Sequence, residues 1–459
     1  MPLSRSPDRA PAVTMHPGEL PITDDVVRDL VGAQFPRWRD LPVRRFASPG
    51  TVNAIFRLGD RLGSRAENRA TDGVRSGRIV AVPPVFVPGL ELAGDFYARV
   101  VRPLLAGEFP GLRYAAALLG PGSEVAGFDT PRSTDHDWGP RLQLLLPDEP
   151  GGGPAGTHAD GAAENTAAAI TAMLARGLPE SFRGYPVRFS LSGEPASATR
   201  HHVRVAGLGG WLTWLLGFDP RNGVTLPDWL ATPTQRLAEF TTGQVFHDAP
   251  GELTHARQTL AWYPDDVWRY VLACQWQRVD QEEPFPGRCA EAGDELGSLV
   301  VTARLARDLM RLCLLMHRRY PPYSKWLGTA FSRLPGNAGL AADLTAAISA
   351  SGYQEREPHL TQAYRAVAQL HNQAGLTAPL DTRTRLFHDR PFQVIGGARF
   401  AAALRESIGD PRINRLPLAG AADQFIDSTD AAGDLRLLRA CTAAAIKASA
   451  INDGDIVLP

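Results

Sequence analysis

Two carboxylates one residue apart, Asp135 and Asp137, are the side chains of the sequence best suited to metal chemistry. In an extended segment, alternate side chains point to the same face, so both carboxylates would project together. Paired carboxylates repel each other unless a cation lies between them. Mg²⁺, or Mn²⁺ in its place, prefers carboxylate and phosphate oxygens. We therefore predict that Asp135 and Asp137 are metal ligands and catalytic residues.

A glycine–serine pair, Gly122 and Ser123, follows the apolar strand predicted at Tyr114–Leu119. Glycine lets the backbone approach a phosphate closely, and the serine hydroxyl and nearby N–H groups can hold phosphate oxygens. A phosphate cradle with a metal pair is what transfer of a nucleotide from an NTP requires. Each motif alone is also typical of a solvated turn. Their order between two apolar strands, the second at Arg141–Leu146, favours a nucleotide site.

The segments Gly120–Ser123 and Ser133–Gly139 resemble the Gly-Ser…Asp-x-Asp signature of the nucleotidyltransferase superfamily. The segments Gly127–Asp129, Asp135–Arg141 and Tyr323–Trp326 are similar to uncharacterised bacterial proteins grouped as a domain of unknown function with that signature. The resemblance extends over about residues 86 to 445. It implies an Mg²⁺-dependent enzyme that transfers a nucleoside monophosphate, with ATP as the expected donor, to a small hydroxylated acceptor.

The superfamily usually has a third carboxylate on a later strand, and here the sequence departs from the pattern. The two candidate strands carry Arg188 and Arg204 at positions where an acid is expected. Glu194 follows the first strand and is a poor substitute. Two alternatives stay open at this point: an acid comes from elsewhere in the chain, or the protein binds nucleotide as a regulatory protein with little or no turnover.

Lysine is rare in this chain: of the 48 lysine and arginine residues, only Lys325 and Lys447 are lysines. Lys325 follows two prolines and a tyrosine at the predicted start of a helix. In related two-domain nucleotidyltransferases, a helical domain supplies basic residues to the triphosphate, and a compact ammonium group suits that role. Lys325 is therefore a candidate nucleotide-binding residue together with Gly122 and Ser123. The alternative is a solvated surface lysine, which is our interpretation of Lys447.

Bulk properties exclude several classes of protein. The net charge is −1 over 459 residues, so no basic field attracts nucleic acid or an anionic membrane. No apolar run is long enough to span a bilayer, and the first residues lack the apolar stretch of a secretory signal. The four cysteines have no Cys-x-x-Cys spacing, which favours reduced thiols on helices. We expect a cytoplasmic protein whose partners are a nucleotide and a small acceptor, and Met1 and Met15 are both candidate starts.

Strands alternate with helices from about Leu90 to Leu230, and from about Leu226 onward the hydrophobic spacing is helical almost throughout. A stripe formed by Leu305, Leu309, Leu312 and Met316 is the clearest helical pattern. We predict an α+β or α/β nucleotidyltransferase fold, a small mixed sheet with helices, followed by a large all-α domain. The expected divisions are a leader at 1–19, a helix and hairpin at 20–62, a linker at 63–85, the sheet domain at 86–230 and the helical domain at 231–459.

The N-terminal segment from Ser48 to Asp60 resembles the first hairpin of an aminoglycoside-phosphotransferase-type kinase lobe. The predicted elements are a helix from Thr23 to Phe35 and strands at Val43–Ala47 and Ala54–Leu58. The resemblance stops after about 40 residues, and we find no kinase catalytic loop or later metal-binding aspartate. A hairpin by itself does not bury a core. We therefore predict a remnant or a docking element and not a kinase.

Overall fold

The structure is a computed structural model that describes residues 25, 27–29, 41–46, 55–58, 85–148, 160–192, 194, 195 and 197–451. The chain divides into two units, of which the first comprises Met1–Phe86 and Glu180–His201 and the second Val87–Pro179 and His202–Pro459. The leader predicted at 1–19 and, apart from Val85, the linker predicted at 63–85 lie outside the described residues. The predicted domain boundaries stay predictions.

The described strands are short and come from both units. In chain order they are β1 Val43–Phe46, β2 Ile55–Leu58, β3 Ala115–Leu118, β4 Arg141–Leu146, β5 Ser181–Phe182, β6 Tyr185–Pro186, β7 Arg188–Phe189, β8 Arg200–Gly207, β9 Gln244–Asp248, β10 Arg385–Phe387 and β11 Arg390–Val394. In the first unit, β1 and β2 pair antiparallel, which confirms the predicted N-terminal hairpin strands. Residues 25 and 27–29 are helical, within the helix predicted from Thr23 to Phe35.

A five-stranded mixed sheet has the strand order β7-β8-β4-β3-β9. Strands β4 and β8 are parallel, whereas β3 is antiparallel to both of its neighbours, β4 and β9. Every residue of β3 is buried, as expected for a central strand covered on both faces. The C-terminal end of β3 and the N-terminal end of β4 therefore lie side by side at one edge of the sheet.

Helices make up most of the second unit. From residue 85 onward they are α1 Gly89–Phe96, α2 Arg102–Glu108, α3 Asp160–Gly177, α4 Leu208–Leu216, α5 Leu226–Ala231, α6 Thr234–Thr241, α7 Glu252–Thr259, α8 Asp265–Glu282, α9 Phe285–Glu291, α10 Glu295–Met316, α11 Ser324–Ser332, α12 Ala338–Ser349, α13 Tyr353–Ala374, α14 Gly397–Glu406, α15 Pro411–Asn414, α16 Ala422–Phe425, α17 Thr429–Gly433 and α18 Leu435–Ile451. A π-helical turn, Tyr97–Val101, joins α1 to α2. No helix of the described residues is both long and apolar enough to cross a membrane.

The predicted small mixed sheet with helices is confirmed, and the C-terminal part is largely helical, but the all-α prediction for that part is wrong. Strand β9 lies among its helices and pairs with β3, and β10 and β11 form an antiparallel hairpin. Strand β9 and the β10–β11 hairpin are short segments, in which alternation of apolar and polar residues is a weak signal of a strand. Strand β9 was missed because its partner lies more than a hundred residues earlier in the chain.

One hydrophobic core in the second unit joins the sheet to the helices. It includes Ala115 and Ala117 of β3, and it includes the predicted stripe residues Leu305, Leu309 and Leu312 of α10, which are fully buried. Burying one such leucine contributes about 1.5–3 kcal/mol relative to leaving it exposed. The four cysteines are unpaired and lie on helices, as predicted. Burial raises the pKa of the Cys274 and Cys313 thiols to about 12.

Candidate functional site

The loop between β3 and β4, residues 119–140, contains both predicted motifs. Its first residues are held by hydrogen bonds to two other elements. The Gln143 side chain of β4 accepts a hydrogen bond from the Leu119 N–H and donates one to the Leu119 carbonyl, both at 3.0 Å. The Gly120 N–H donates to the Glu239 carbonyl at 2.9 Å. Since each contact joins the loop to a different element, the backbone leaves β3 in a defined direction.

Gly122 has φ +150° and is exposed, and Ser123 is half-buried. A Cβ atom at position 122 would overlap the Arg141 guanidinium and lie 2.8 Å from a Glu124 carboxylate oxygen. Glycine is therefore the residue that fits here. The Ser123 carbonyl accepts the Phe128 N–H at 2.8 Å, which closes the following turn. The loop therefore places the Gly122–Ser123 backbone at the edge of the sheet where β3 ends.

Arg141, the first residue of β4, bonds to the loop on both sides of this pair. Its Nε donates to Glu124 Oε1 at 2.7 Å, and its Nη2 donates to the Pro121 carbonyl at 2.7 Å. Glu124 is only 3% exposed. Neither Glu124 nor Arg141 was predicted as a site residue. The available signals in the sequence were a charged residue beside Ser123 and another at the start of a mostly apolar strand.

Asp129 holds the far end of the loop. Its Oδ2 accepts the Gly89 N–H at 2.7 Å, at the first residue of α1, and accepts Trp138 Nε1–H at 3.2 Å. A carboxylate at a helix N-terminus satisfies an N–H group that lacks an intrahelical partner and interacts favourably with the helix dipole. Trp138 is buried. The role of Asp129 in these contacts is structural.

The segment Asp135–Asp137 is not a strand, so the expected extended conformation is wrong as a whole. Asp135 ends a 3₁₀ turn, Pro131–Asp135, His136 is extended and Asp137 has φ +52°. The turn forms because Pro131 begins it and because Thr130 and Ser133 form a capping box. The segment nevertheless enters β4 beside the end of β3, at the same edge as Ser123. The Asp135 side chain lies outside the described residues, and Asp137 is half-buried.

The carboxylates fit a nucleotide-associated magnesium site in their chemistry. Such sites commonly use one or two protein carboxylates and take further oxygens from substrate phosphates and water. Among the side chains that the structure describes, no group of three or more His, Cys, Asp or Glu could hold a metal ion. A site built from Asp135, Asp137 and the phosphates does not require such a group.

Lys325 lies in the first turn of α11, as predicted, and its side chain is exposed. Its Nζ is 5.1 Å from the centre of the Trp326 ring, and the Trp326 ring contacts the Phe128 ring at 5.3 Å between centroids. Arg333, just beyond α11, donates to the Gly127 carbonyl at 2.8 Å and lies 4.6 Å over the Phe128 ring. Helix α11 therefore contacts the loop that contains Gly122 and Ser123.

The residues at the expected third-acid positions have other contacts. The Arg204 guanidinium lies 4.4 Å over the Trp214 ring, and Arg188 pairs in register with His201. Glu194 accepts hydrogen bonds from Arg200 and from the Leu191 N–H. Tyr323, beside α11, is not a candidate base, because burial and then the Glu239 carboxylate raise the pKa of its hydroxyl.

A shallow depression of about 580 Å³ is lined by Arg221, Asn222, Pro250, Gly251, Glu252 and His255. Arg221 forms ion pairs with Asp148, Asp219 and Glu252. Asp148 and Asp219 follow β4 and α4, so this network connects the sheet to neighbouring segments. Asp148 follows the C-terminal end of β4, at the edge of the sheet opposite the 119–140 loop, and the depression contains none of the predicted site residues.

Comparison with known protein families finds a match for one segment of the chain. Residues 229–327 match the family described as Domain of unknown function (DUF4037), and this segment includes Lys325 and Trp326. No curated protein and no solved structure matches the chain. The resemblance expected over about residues 86 to 445 is therefore shown for residues 229–327, as a similarity to that domain of unknown function.

Proposed function

We propose that the protein transfers a nucleoside monophosphate from an NTP, with ATP as the first candidate donor, to a small hydroxylated acceptor. The reaction would depend on Mg²⁺ or Mn²⁺. The observation that carries the proposal is the contact between α11 and the 119–140 loop: Arg333 bonds to Gly127, and Trp326 packs on Phe128. This contact supports a shared site for the glycine–serine pair, the acidic segment and Lys325.

The charge distribution around the loop suits a triphosphate. Lys325 and Arg333 are exposed cations on α11 and just after it, and Asp137 is a half-buried residue of the loop. The first turn of a helix also has unpaired N–H groups and the positive end of the helix dipole, which favour anions. A cleft with cations raises the local concentration of an anionic substrate.

Each residue has a distinct role in the proposed reaction. The Gly122–Ser123 backbone and the Ser123 hydroxyl hold phosphate oxygens, and the Lys325 ammonium neutralises charge on the triphosphate. Asp135 and Asp137 hold the metal. When bound, Mg²⁺ neutralises the triphosphate, aligns the acceptor hydroxyl and stabilises the pyrophosphate that leaves.

A second candidate function is a nucleotide-binding regulatory protein without appreciable turnover. It is favoured by Arg204, which stacks on Trp214 at a position where the superfamily usually has the third acid. In such a protein, the loop and Lys325 would bind the nucleotide, and the acceptor would not react.

Radiolabel transfer distinguishes the two functions. The protein is incubated with a metabolite extract, Mg²⁺ or Mn²⁺, and each NTP labelled at either the α- or the γ-phosphate. Nucleotidyl transfer moves the α-label into an acceptor and releases labelled pyrophosphate from the γ-labelled NTP. Metal-dependent binding without transfer would support the regulatory function, and transfer of the γ-label would indicate a kinase. The matched control is Asp135→Asn with Asp137→Asn, which removes both carboxylates at nearly constant size and should abolish transfer.

A further inference from the structure

We propose that Arg141 and Glu124 form a positioning pair that fixes the Gly122–Ser123 backbone in the shape that accepts a triphosphate. This inference rests on the proposed function. Neither residue needs to touch the nucleotide. The pair acts through the loop, because Arg141 bonds to the residues on either side of Gly122 and Ser123.

The geometry places one side chain across both ends of the cradle. Arg141 donates from Nη2 to the Pro121 carbonyl at 2.7 Å, immediately before Gly122. It donates from Nε to Glu124 Oε1 at 2.7 Å, immediately after Ser123. The guanidinium fork is planar, so these two bonds tie the Pro121 backbone to the buried Glu124 side chain. This connection restrains the two residues between them.

Because the Arg141–Glu124 pair is buried, a contribution to the free energy of unfolding does not explain why these two residues are charged. The side chains of Arg141 and Glu124 are 20% and 4% exposed. Ion pairs at this depth lose much of their attraction to desolvation, and apolar residues of similar volume are often equally stabilising. What apolar residues cannot supply is a directional bond to the Pro121 carbonyl and to Glu124 at the same time.

The rest of the loop is held separately, so the Arg141–Glu124 pair controls a small region. Arg333 bonds to the Gly127 carbonyl, and Asp129 bonds to Gly89 and Trp138. Loss of the Arg141 bonds would therefore loosen Pro121 and Gly122, while the Ser123 and Glu124 carbonyls keep their hydrogen bonds from the Phe128 and Gly127 N–H groups. We therefore expect weaker binding of the β- and γ-phosphates, which would lie at the cradle. Binding of the nucleoside should change less.

The test compares the affinities of ATP and AMP in the presence of Mg²⁺ by calorimetry, in the full chain. Arg141→Met with Glu124→Leu removes the bonds and leaves an apolar pair that can stay folded. We expect its ATP affinity to fall about tenfold or more, with AMP affinity changed less than about threefold, because a disordered cradle loses pre-organisation. Arg141→Lys, which cannot bond to both partners as a fork, should give an intermediate loss. Glu124→Gln keeps an acceptor for Arg141 Nε, so its ATP affinity should stay within about threefold of the wild-type value.

The matched control is another arginine that bridges a buried carboxylate and a backbone carbonyl. Arg278 donates to Asp308 Oδ2 at 3.1 Å and to the Gln424 carbonyl at 2.8 Å, with Asp308 only 1% exposed. Arg278→Met with Asp308→Leu should leave ATP affinity unchanged, with urea unfolding measured for all variants.

Two results overturn different claims. If the wild-type protein binds ATP and the folded Arg141→Met, Glu124→Leu variant binds it equally well, the positioning inference is wrong and the proposed function survives. If the wild-type protein binds no nucleotide with either metal, the proposed function fails, and the positioning inference fails with it.

Discussion

At the scale of single residues, the conformation of Asp137 bears most directly on the proposed metal site. A non-glycine residue with positive φ costs roughly 1–2 kcal/mol, although aspartate tolerates this region better than most residues. Such residues cluster at functional sites, where the surrounding structure holds them in place. Here Asp137 lies in the short segment between the 3₁₀ turn that ends at Asp135 and β4, which begins at Arg141. The backbone therefore sets the direction in which the Asp137 side chain leaves the chain.

Lys325 yields a prediction at the same scale. An ammonium group near a triphosphate makes charge-assisted hydrogen bonds, each contributing about 1.5–3 kcal/mol. Lys325→Ala should therefore weaken ATP binding, or slow transfer, by roughly ten- to a hundredfold. Calorimetry and the transfer rate measure this effect. Lys325→Arg should be only partly tolerated, because the guanidinium is larger and planar.

The other lysine of the chain provides the control. Lys447 is exposed on α18, and Lys447→Ala should change neither ATP affinity nor transfer rate. Equal affinity and rate in the wild type and in Lys325→Ala would show that Lys325 is one more solvated side chain.

At the scale of elements, the edge strand β9 is positioned through Gly243, the residue before it. Gly243 has φ +66°, and its N–H donates to the Val125 carbonyl of the 119–140 loop at 2.8 Å. A Cβ atom there would overlap the Leu118 carbonyl and contact Leu119 and Val125 at 3.0–3.1 Å. One glycine thus lets β9, β3 and the loop approach each other closely.

Gly243→Ala should lower the free energy of unfolding by about 2–4 kcal/mol, since backbone strain and a clash with a carbonyl act together. Urea unfolding followed by circular dichroism measures the change. Gly336→Ala is the matched control: Gly336 has φ +74° with no atom within 4 Å of an added Cβ, so strain alone should cost about 1 kcal/mol. Equal losses in the two variants would mean that the close approach at Gly243 is not tight.

At the scale of the whole molecule, the second unit is stabilised by a core with polar groups inside it. His371 is 1% exposed; its Nδ1 accepts Trp276 Nε1–H at 3.2 Å, and its Nε2 lies 3.1 Å from Thr377 Oγ1. The Thr377 hydroxyl donates to the Ala378 carbonyl, so it accepts from His371 Nε2–H. This arrangement requires the neutral imidazole, because a proton on Nδ1 would face the Trp276 N–H.

Burial accordingly lowers the pKa of His371 from 6.5 to about 4. Between these values, the unfolded chain binds a proton that the folded protein does not bind, so stability falls as pH decreases from 6.5 to 4. We expect this histidine to account for a loss of about 2 kcal/mol between pH 7 and pH 5. Urea unfolding at the two pH values measures it.

His371→Gln removes the titration and should reduce the pH-dependent loss by about that amount, at the expense of lower stability at pH 7. His255→Gln, on an exposed histidine of α7, should keep the wild-type dependence. An undiminished loss in His371→Gln would assign the acid sensitivity to another group.

Local patterns in the sequence were sufficient for the elements whose signals lie within a few residues. Strand β4 was predicted with its observed bounds, Arg141–Leu146, from a leucine-rich segment, and the α10 stripe from leucines at helical spacing. These features depend on backbone preference and on which face is buried, which neighbouring residues encode.

Contacts between distant segments were decided only by the tertiary structure. The pairing of β9 with β3, the contact of Arg333 with Gly127 and the bonds of Arg141 to Pro121 and Glu124 all depend on where assembled elements meet. The conformation of Asp137 is a further case, since the extended segment that alternation implied is replaced by a turn between two fixed strands. A sequence pattern records which residues favour burial or a turn, whereas hydrogen-bond partners depend on distances that exist only after the core has packed.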